Sequence, residues 1–387
     1  MQKETIIILS HVNFDNSPYC LYVHNHAKAL QNHGYNVIVF ANLNWLPFIS
    51  LIKKNRKKFY KEYKGEKNID GVKVVYSKQL SFSNLLYSSK INLNGISYYL
   101  TIKNKIKKII NENNVIMIDA HTFKVEGYVA CKLKKKYKLP TFITCHGTSL
   151  EKNLHTKNGI KQIQKFGRII DKYICVSKKI ENSINKLKVY NTETIYNGIN
   201  SYNNEELSKQ KFTIISVGNL IKQKNFDISI KAISELKNKY KGIELIIVGD
   251  GPEKKNLVKL AETEQLQNNV KFMNSISNED VHKLMKKSNI FILPSVREGF
   301  GIVYAEAMGN KCITIGTKGE GIDGLIINEK NGFLINADSK EIERLITDIY
   351  DGKYNLEEIR KQAYITAKEL TWDNNAKNYL KNIEQRK

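Results

Sequence analysis

Ser295-Val296-Arg297-Glu298-Gly299-Phe300-Gly301-Ile302-Val303-Tyr304-Ala305-Glu306-Ala307-Met308-Gly309 sets two glutamates eight positions apart, across what reads as the end of a strand, a glycine loop and a helix. Before it runs Asn289-Ile290-Phe291-Ile292-Leu293-Pro294, a short apolar run closed by Pro294, and after the loop Val303, Ala307 and Met308 recur at helical spacing. Glycines in a strand-to-helix turn leave backbone N–H groups free at the positive end of a helix. Gly299, Phe300 and Gly301 are therefore placed to receive an anion of diphosphate size. With a helix starting near residue 301, Glu306 lies more than one turn inside it and Glu298 in the loop before it. At ~1.5 Å rise per residue the two carboxylates stand about 10 Å apart, against ~5–5.5 Å for the paired carboxylates of a retaining hydrolase. They are spaced to hold two ends of one ligand.

Outward from this segment, strand and helix alternate twice over. Ile6-Ile7-Ile8-Leu9, Val37-Ile38-Val39-Phe40, Val72-Lys73-Val74-Val75, Val115-Ile116-Met117-Ile118, Thr141-Phe142-Ile143-Thr144 and Tyr173-Ile174-Cys175-Val176 are short β-branched runs between Lys-rich amphipathic stretches. A second series comprises Phe212 to Val217, Glu244 to Val248, Val270 to Phe272, Ile290 to Leu293 and Cys312 to Ile315. Each series builds a parallel sheet covered on both faces. The polar stretch Ile199 to Glu206 lacks apolar periodicity and separates them. The reading is α/β, with one Rossmann-like domain over 1–200, a second over 201–370, and a terminal helical segment over 371–387.

The chain of 387 residues is long enough for two such cores, and its 41% hydrophobic content is that of a globular protein rather than a disordered one. No run approaches the roughly 18 apolar residues of a membrane span, and Ile6-Ile7-Ile8-Leu9 is too short for a signal-peptide core, so a cytoplasmic location is expected. The cysteines at 20, 131, 145, 175 and 312 are odd in number and widely spaced, which points to buried thiols rather than a disulfide framework or zinc site.

Three further segments sit at strand ends, where open α/β sheets bind ligands. Gly218-Asn219-Leu220-Ile221-Lys222-Gln223-Lys224-Asn225 follows the first strand of the second series, and Gly249-Asp250-Gly251-Pro252 follows the next. His146 follows Thr141 to Cys145, and His121 ends the strand before it. For Gly251 and Pro252 a tight turn accounts for the residues. His24 and His26, at the start of the first helix, read almost equally well as surface residues or as part of a site.

The glutamate, seven-residue, glutamate spacing resembles the signature of family 4 glycosyltransferases, and the loops above match that family's landmarks in order, closely over 140–335 and loosely over 1–120. The resemblance implies a GT-B fold, two facing Rossmann-like domains with a deep interdomain cleft, with the terminal helix packing back on the first domain. It implies donor-sugar contacts from Glu298 and His146 as the catalytic pair. The diphosphate would be held by Lys224 and the amides of Gly299, Phe300 and Gly301, and the ribose hydroxyls by Glu306, with Gly218, Asn219 and Gly249 also on the donor side. The family's arginine is replaced by Asn219 and its following glycine by Asn225, so Lys222 or Arg297 is expected to supply the missing charge. The family's first-loop glycine pair is absent from Asn13 to Cys20, which leaves Asn16 and Tyr19, with His121, as acceptor-side candidates. No Asp-x-Asp occurs and the histidines lack ligand spacing, so no metal and no cofactor are expected, the nucleotide-sugar being a substrate.

Charge divides the chain unevenly. Residues 1–200 hold 33 Lys and Arg against 12 Asp and Glu, while 201–387 hold 29 against 26. Trp45 to Ile52 abuts a basic run from Lys53 to Lys64, and further lysines cluster at 103–108 and 132–138. An anionic partner is implied, either lipid headgroups or nucleic acid; no stacking aromatic platform accompanies the charge, which favours a membrane surface and a glycan or polyprenyl-linked acceptor. The expected activity is retaining, metal-independent transfer from a UDP-sugar, with GDP-sugar second, in cell-surface polysaccharide or glycolipid synthesis. A GT-B sugar-nucleotide epimerase, an inactive relative and a basic nucleic-acid-binding protein are the alternatives.

Overall fold

The computed structural model describes residues 3–12, 20–45, 60–82, 91–199 and 212–385. The chain forms two compact units, Met1–Gly198 with Trp372–Lys387, and Ile199–Thr371. Each is built on its own sheet.

The first unit carries β1 (Thr5–His11), β2 (Asn36–Trp45), β3 (Gly65–Ile69), β4 (Val72–Leu80), β5 (Val115–Ala120), β6 (Thr141–Cys145), β7 (Lys172–Cys175) and β8 (Thr192–Thr194), in the spatial order β3-β4-β2-β1-β5-β6-β7-β8. β1 lies in the middle, with Ile7 opposite Ile38 on one side and Ile118 on the other. Helices cover both faces, so Ile6 to Leu9 are wholly buried and the strand is a continuous apolar run rather than an alternating one. Among the described residues, the one antiparallel pair in this sheet is β3 with β4, joined through Asp70 and Gly71, both at positive φ (48° and 87°). That is the hairpin turn that an Asp-Gly pair favours. β3 is polar and largely exposed, so no apolar run marks it in the sequence.

The second unit carries β9 (Thr213–Val217), β10 (Glu244–Val248), β11 (Val270–Met273), β12 (Ile290–Ile292), β13 (Ile313–Thr317) and β14 (Phe333–Ile335), ordered β11-β10-β9-β12-β13-β14 with every pairing parallel. Strand order reverses between β9 and β12. The crevice at such a switch point, beyond the carboxyl ends of the strands, is where doubly wound sheets bind ligands.

The helix Trp372–Glu384 belongs to the first unit. Ala376, Tyr379, Leu380 and Ile383 join the core of that unit, and Asn375 Nδ2 donates to the Tyr196 carbonyl at 2.8 Å. Gly198 permits the approach, because a Cβ there would lie 2.4 Å from the Trp372 nitrogen. All five cysteines are buried thiols. Among the described residues no helix is long and apolar enough to cross a membrane. The aromatic and basic segment 46–59 lies outside the described residues, whereas the lysines at 105, 107, 108, 132, 135 and 136 face solvent on their helices.

Candidate active site

At the switch point of the second sheet, two loops meet. The first leaves β9 at Gly218, whose amide donates to the Val248 carbonyl at 3.0 Å, and Leu220 N donates to the Asp250 carbonyl at 2.9 Å. Gly249 sits directly against this loop: a Cβ there would fall 2.0 Å from the Gly218 carbonyl oxygen. Glycine at 249 is thus demanded by backbone against backbone, and its role is to let the two loops close together. Lys222–Lys224 form one 3-10 turn, after which Asn225 takes a left-handed conformation (φ 50°) and opens the helix Phe226–Leu236. Asparagine tolerates that conformation better than other residues bearing a Cβ. Its side chain also donates to the Pro294 carbonyl at 2.8 Å. Replacement of glycine by Asn225 is therefore compatible with the backbone and adds a tie between the loops.

The second loop leaves β12 at Leu293. Val296 N donates to the Gln223 carbonyl at 2.8 Å, fixing it to the first loop. Tyr304, wholly buried, donates to the Leu293 carbonyl at 2.5 Å and lies 2.7 Å from Ser295 Oγ, so the helix Ile302–Gly309 is bolted to the strand end. Burial raises the Tyr304 phenol far above its ordinary value, and it stays a neutral donor. Gly301, left-handed at φ 77°, caps that helix, and Phe300 buries its ring, leaving the loop's backbone as its chemistry-bearing part.

The two loops converge on an ion pair. Lys224 Nζ donates to Glu298 Oε2, with only 19% and 18% of the two side chains exposed. Ser295 Oγ donates to the same carboxylate oxygen at 3.4 Å. A third loop, after β13, supplies a residue that sequence reasoning gave no role: Glu320 Oε2 accepts from the Glu298 amide at 2.8 Å. Gly321 makes room for it, since a Cβ there would lie 2.4 Å from Gly299 carbonyl atoms. Asn219, Lys222 and Arg297 are exposed, and Glu306 is half-buried on the helix Ile302–Gly309. Thus Gly218, Lys224, Gly249, Glu298 and the 299–301 loop share one end of one sheet, and Glu306 belongs to the helix which that loop starts.

The other candidates belong to the first unit. His121, at the end of β5, is buried; its Nε2 lies 2.6 Å from Asp119 Oδ2 and its Nδ1 lies 3.0 Å from His146 Nε2. His146 is half-buried, with the Tyr22 ring centroid 4.1 Å away. Burial, then the neighbouring His121, His11 and His26, push its imidazole well below the ordinary range, so it is neutral. For Asp119, burial works to raise the carboxyl, but His121 outweighs it, aided by His26, and holds it ionised below the usual range. His26 is buried, against the reading of it as a surface residue, because its helix turns that face onto the C-terminal helix; His24 is half-buried and pairs with Asp70 at 3.3 Å. Asn16 and Tyr19 lie outside the described residues.

Two protein families match this chain, one described as Glycosyltransferase Family 4 over residues 21–201 and the other as Glycosyl transferases group 1 over residues 200–368. An uncharacterized glycosyltransferase of Methanocaldococcus jannaschii is 30% identical over 287 residues, 72% of this chain and 76% of its own length. The alpha-monoglucosyldiacylglycerol synthase of Acholeplasma laidlawii is 25% identical over 288 residues, 66% of this chain and 71% of its own. Among solved structures, Anabaena HepE in complex with UDP and glucose superposes with a TM-score of 0.71 at 18% identity, covering 99% of this chain and 100% of that one. The likeness identifies the fold as GT-B.

Proposed function

The chain belongs to the family 4, group 1 glycosyltransferases, and from that premise we propose that it is a retaining, metal-independent enzyme that transfers a sugar from a UDP-sugar to a glycan or polyprenyl-linked acceptor. The observation that carries this reading is the Lys224–Glu298 pair beside the glycine-capped start of the helix Ile302–Gly309. A lysine and a helix N-terminus together supply positive potential where a leaving diphosphate gathers charge, and such preorganised donors lower the barrier most where water is scarce. Glu298 receives hydroxyls of the donor sugar, Glu306 those of the ribose, and Lys222 or Arg297 supplies the charge that Asn219 lacks. UDP is favoured over GDP by the UDP-bound neighbour.

In the proposed reaction, the bond from the anomeric carbon to the phosphate oxygen breaks while a bond to the acceptor oxygen forms on the same face. The acceptor's hydroxyl proton passes to the departing phosphate. No protein nucleophile takes part, and burial, with His121 beside it, keeps His146 neutral. The basic surface of that unit suits an anionic membrane, in keeping with a lipid-linked acceptor.

A thermal-shift screen against UDP, GDP, ADP and their sugars, with and without EDTA, tests the donor reading. A shift specific to UDP compounds and undiminished by EDTA is expected; no shift with any nucleotide would overturn it. For membrane contact the test is flotation with anionic vesicles of wild type and of a variant with Lys53, Lys54, Lys57 and Lys58 changed to Glu, where equal binding would sink the idea.

A further inference from the structure

The core of the first unit holds three side chains whose remaining polar atoms converge. His26 Nδ1 is engaged at 2.7 Å by Asn375 Oδ1, which accepts only, so Nδ1 carries the proton and Nε2 presents a lone pair. Asp119 Oδ1 accepts from Thr144 Oγ1 at 3.0 Å, leaving Oδ2. His121 Nδ1 is engaged by His146 at 3.0 Å, leaving Nε2. The remaining atoms, His26 Nε2, Asp119 Oδ2 and His121 Nε2, are buried and all lie within 4.8 Å of one another, the last two paired at 2.6 Å.

We propose that these three atoms form a binding site for one divalent cation of the zinc class. Ligand atoms around a tetrahedral ion with bonds of ~2.0–2.1 Å stand about 3.3 Å apart. Asp119 Oδ2 and His121 Nε2, now 2.6 Å apart, would open by about 0.7 Å to reach it, and the whole set already lies within 4.8 Å. At 2.6 Å Asp119 Oδ2 and His121 Nε2 call for positive charge between them, which a proton or a metal ion supplies. Two imidazoles and one carboxylate are a donor set suited to zinc, and outer hydrogen bonds that fix each ligand's orientation are the usual accompaniment of such sites. A cavity of about 10 Å³ beside His26, His121, Thr144 and Tyr379 has room for one water, the natural fourth ligand. Tyr379, also buried, lines the same cavity, its ring 4.7 Å from that of His26.

The consequence is architectural. The ligands come from the first helix, from β5 and from the residue after it, while Asn375 and Tyr379 come from the helix Trp372–Glu384. A cation there would lock the C-terminal helix to the sheet and, through His121, set the ring of His146. The proposal concerns the first unit only and stands apart from metal-independent transfer at the donor site.

The test uses the full chain, freed of any histidine tag and stripped with a strong chelator, then titrated with CoCl2 and ZnCl2. One Co2+ per chain with the visible d–d absorption of a four-coordinate ion is expected, displaced by Zn2+, with Tm rising roughly 5–10 °C at a hundredfold excess over Kd. His26→Gln and Asp119→Asn should each lose the band, Asn375→Ala should weaken binding about 10–100-fold, and Glu298→Ala should bind as wild type does. Absence of the band in wild type, or its survival in both ligand variants, would overturn the proposal and leave a proton shared by Asp119 and His121. Since the wild type is itself titrated, misfolding of a variant does not decide the matter. A UDP-dependent shift that persists in the stripped protein separates this site from the donor site.

Discussion

Lys224 and Glu298 come from opposite sides of the switch point of the second sheet, one from the turn after β9 and the other from the loop after β12, and their charged ends meet with about four-fifths of each side chain buried. A pair held this far from water is sensitive to the removal of either partner, because the survivor keeps an uncompensated charge. It also holds a lysine beside the start of the glycine loop 299–301.

Lys224→Ala and Glu298→Ala are each expected to lower kcat/KM at least tenfold, about 1.4 kcal/mol of lost transition-state stabilisation. They should do so differently. Loss of Lys224 weakens UDP itself, whereas loss of Glu298 falls on the sugar, so UDP affinity changes little while turnover of the UDP-sugar drops. Steady-state kinetics with UDP inhibition constants separates the two.

Asn219 is exposed at the position where the family resemblance leads one to expect arginine. Asn219→Arg should tighten UDP roughly three- to tenfold, the worth of one added cation beside a diphosphate in partly solvated surroundings. Calorimetric titration at two salt concentrations checks it, since the gain should shrink as salt rises.

The strand, loop and helix of segment 290–309 were legible because chemistry and backbone agree there. Glycines at 299 and 301, an apolar strand before them and helical spacing after them leave few ways to fold. Strand runs such as Ile6 to Leu9 were equally plain, being buried on both faces. What escaped was polar or short. β3 has no apolar run to mark it, and only the Asp70-Gly71 turn announces it. β14 is three residues long. Glu320 acts on a backbone amide, a task that any acceptor performs and that leaves no spacing to read. Asp119 and His121 are two residues apart, but His26 joins them only through tertiary packing of a distant segment, so the sequence does not show the set of three.

Glu320 accepts from the Glu298 amide and so holds the backbone of that residue. Glu320→Ala should lower turnover several-fold, while Glu320→Gln, which keeps an acceptor oxygen for the Glu298 amide, should recover most of it. Equal loss in both variants would mean that the carboxylate's charge matters rather than its hydrogen bond.

His282 accepts from Asn310 Nδ2 at Nδ1, 3.0 Å away, and its pKa is lowered to about 4 by burial and then by Lys286. An unfolded histidine titrates near 6.5. Between those values the unfolded chain binds a proton that the folded one refuses, so the contribution of His282 is intact above about 6.5 and is lost as pH falls toward 4. His282→Asn retains an acceptor but no titration. Chemical unfolding of both proteins should show the variant gaining on wild type as pH drops from 7 to 4.5; parallel curves would contradict the assignment.

The most direct test of the donor assignment is calorimetric titration of UDP, in EDTA, into wild type and into Lys224→Ala. One UDP per chain in the wild type is expected, with affinity at least tenfold weaker in the variant. Equal affinity in the two proteins, or no binding of UDP, GDP or ADP to wild type, would contradict the placement of a nucleotide-sugar donor at the Lys224–Glu298 pair.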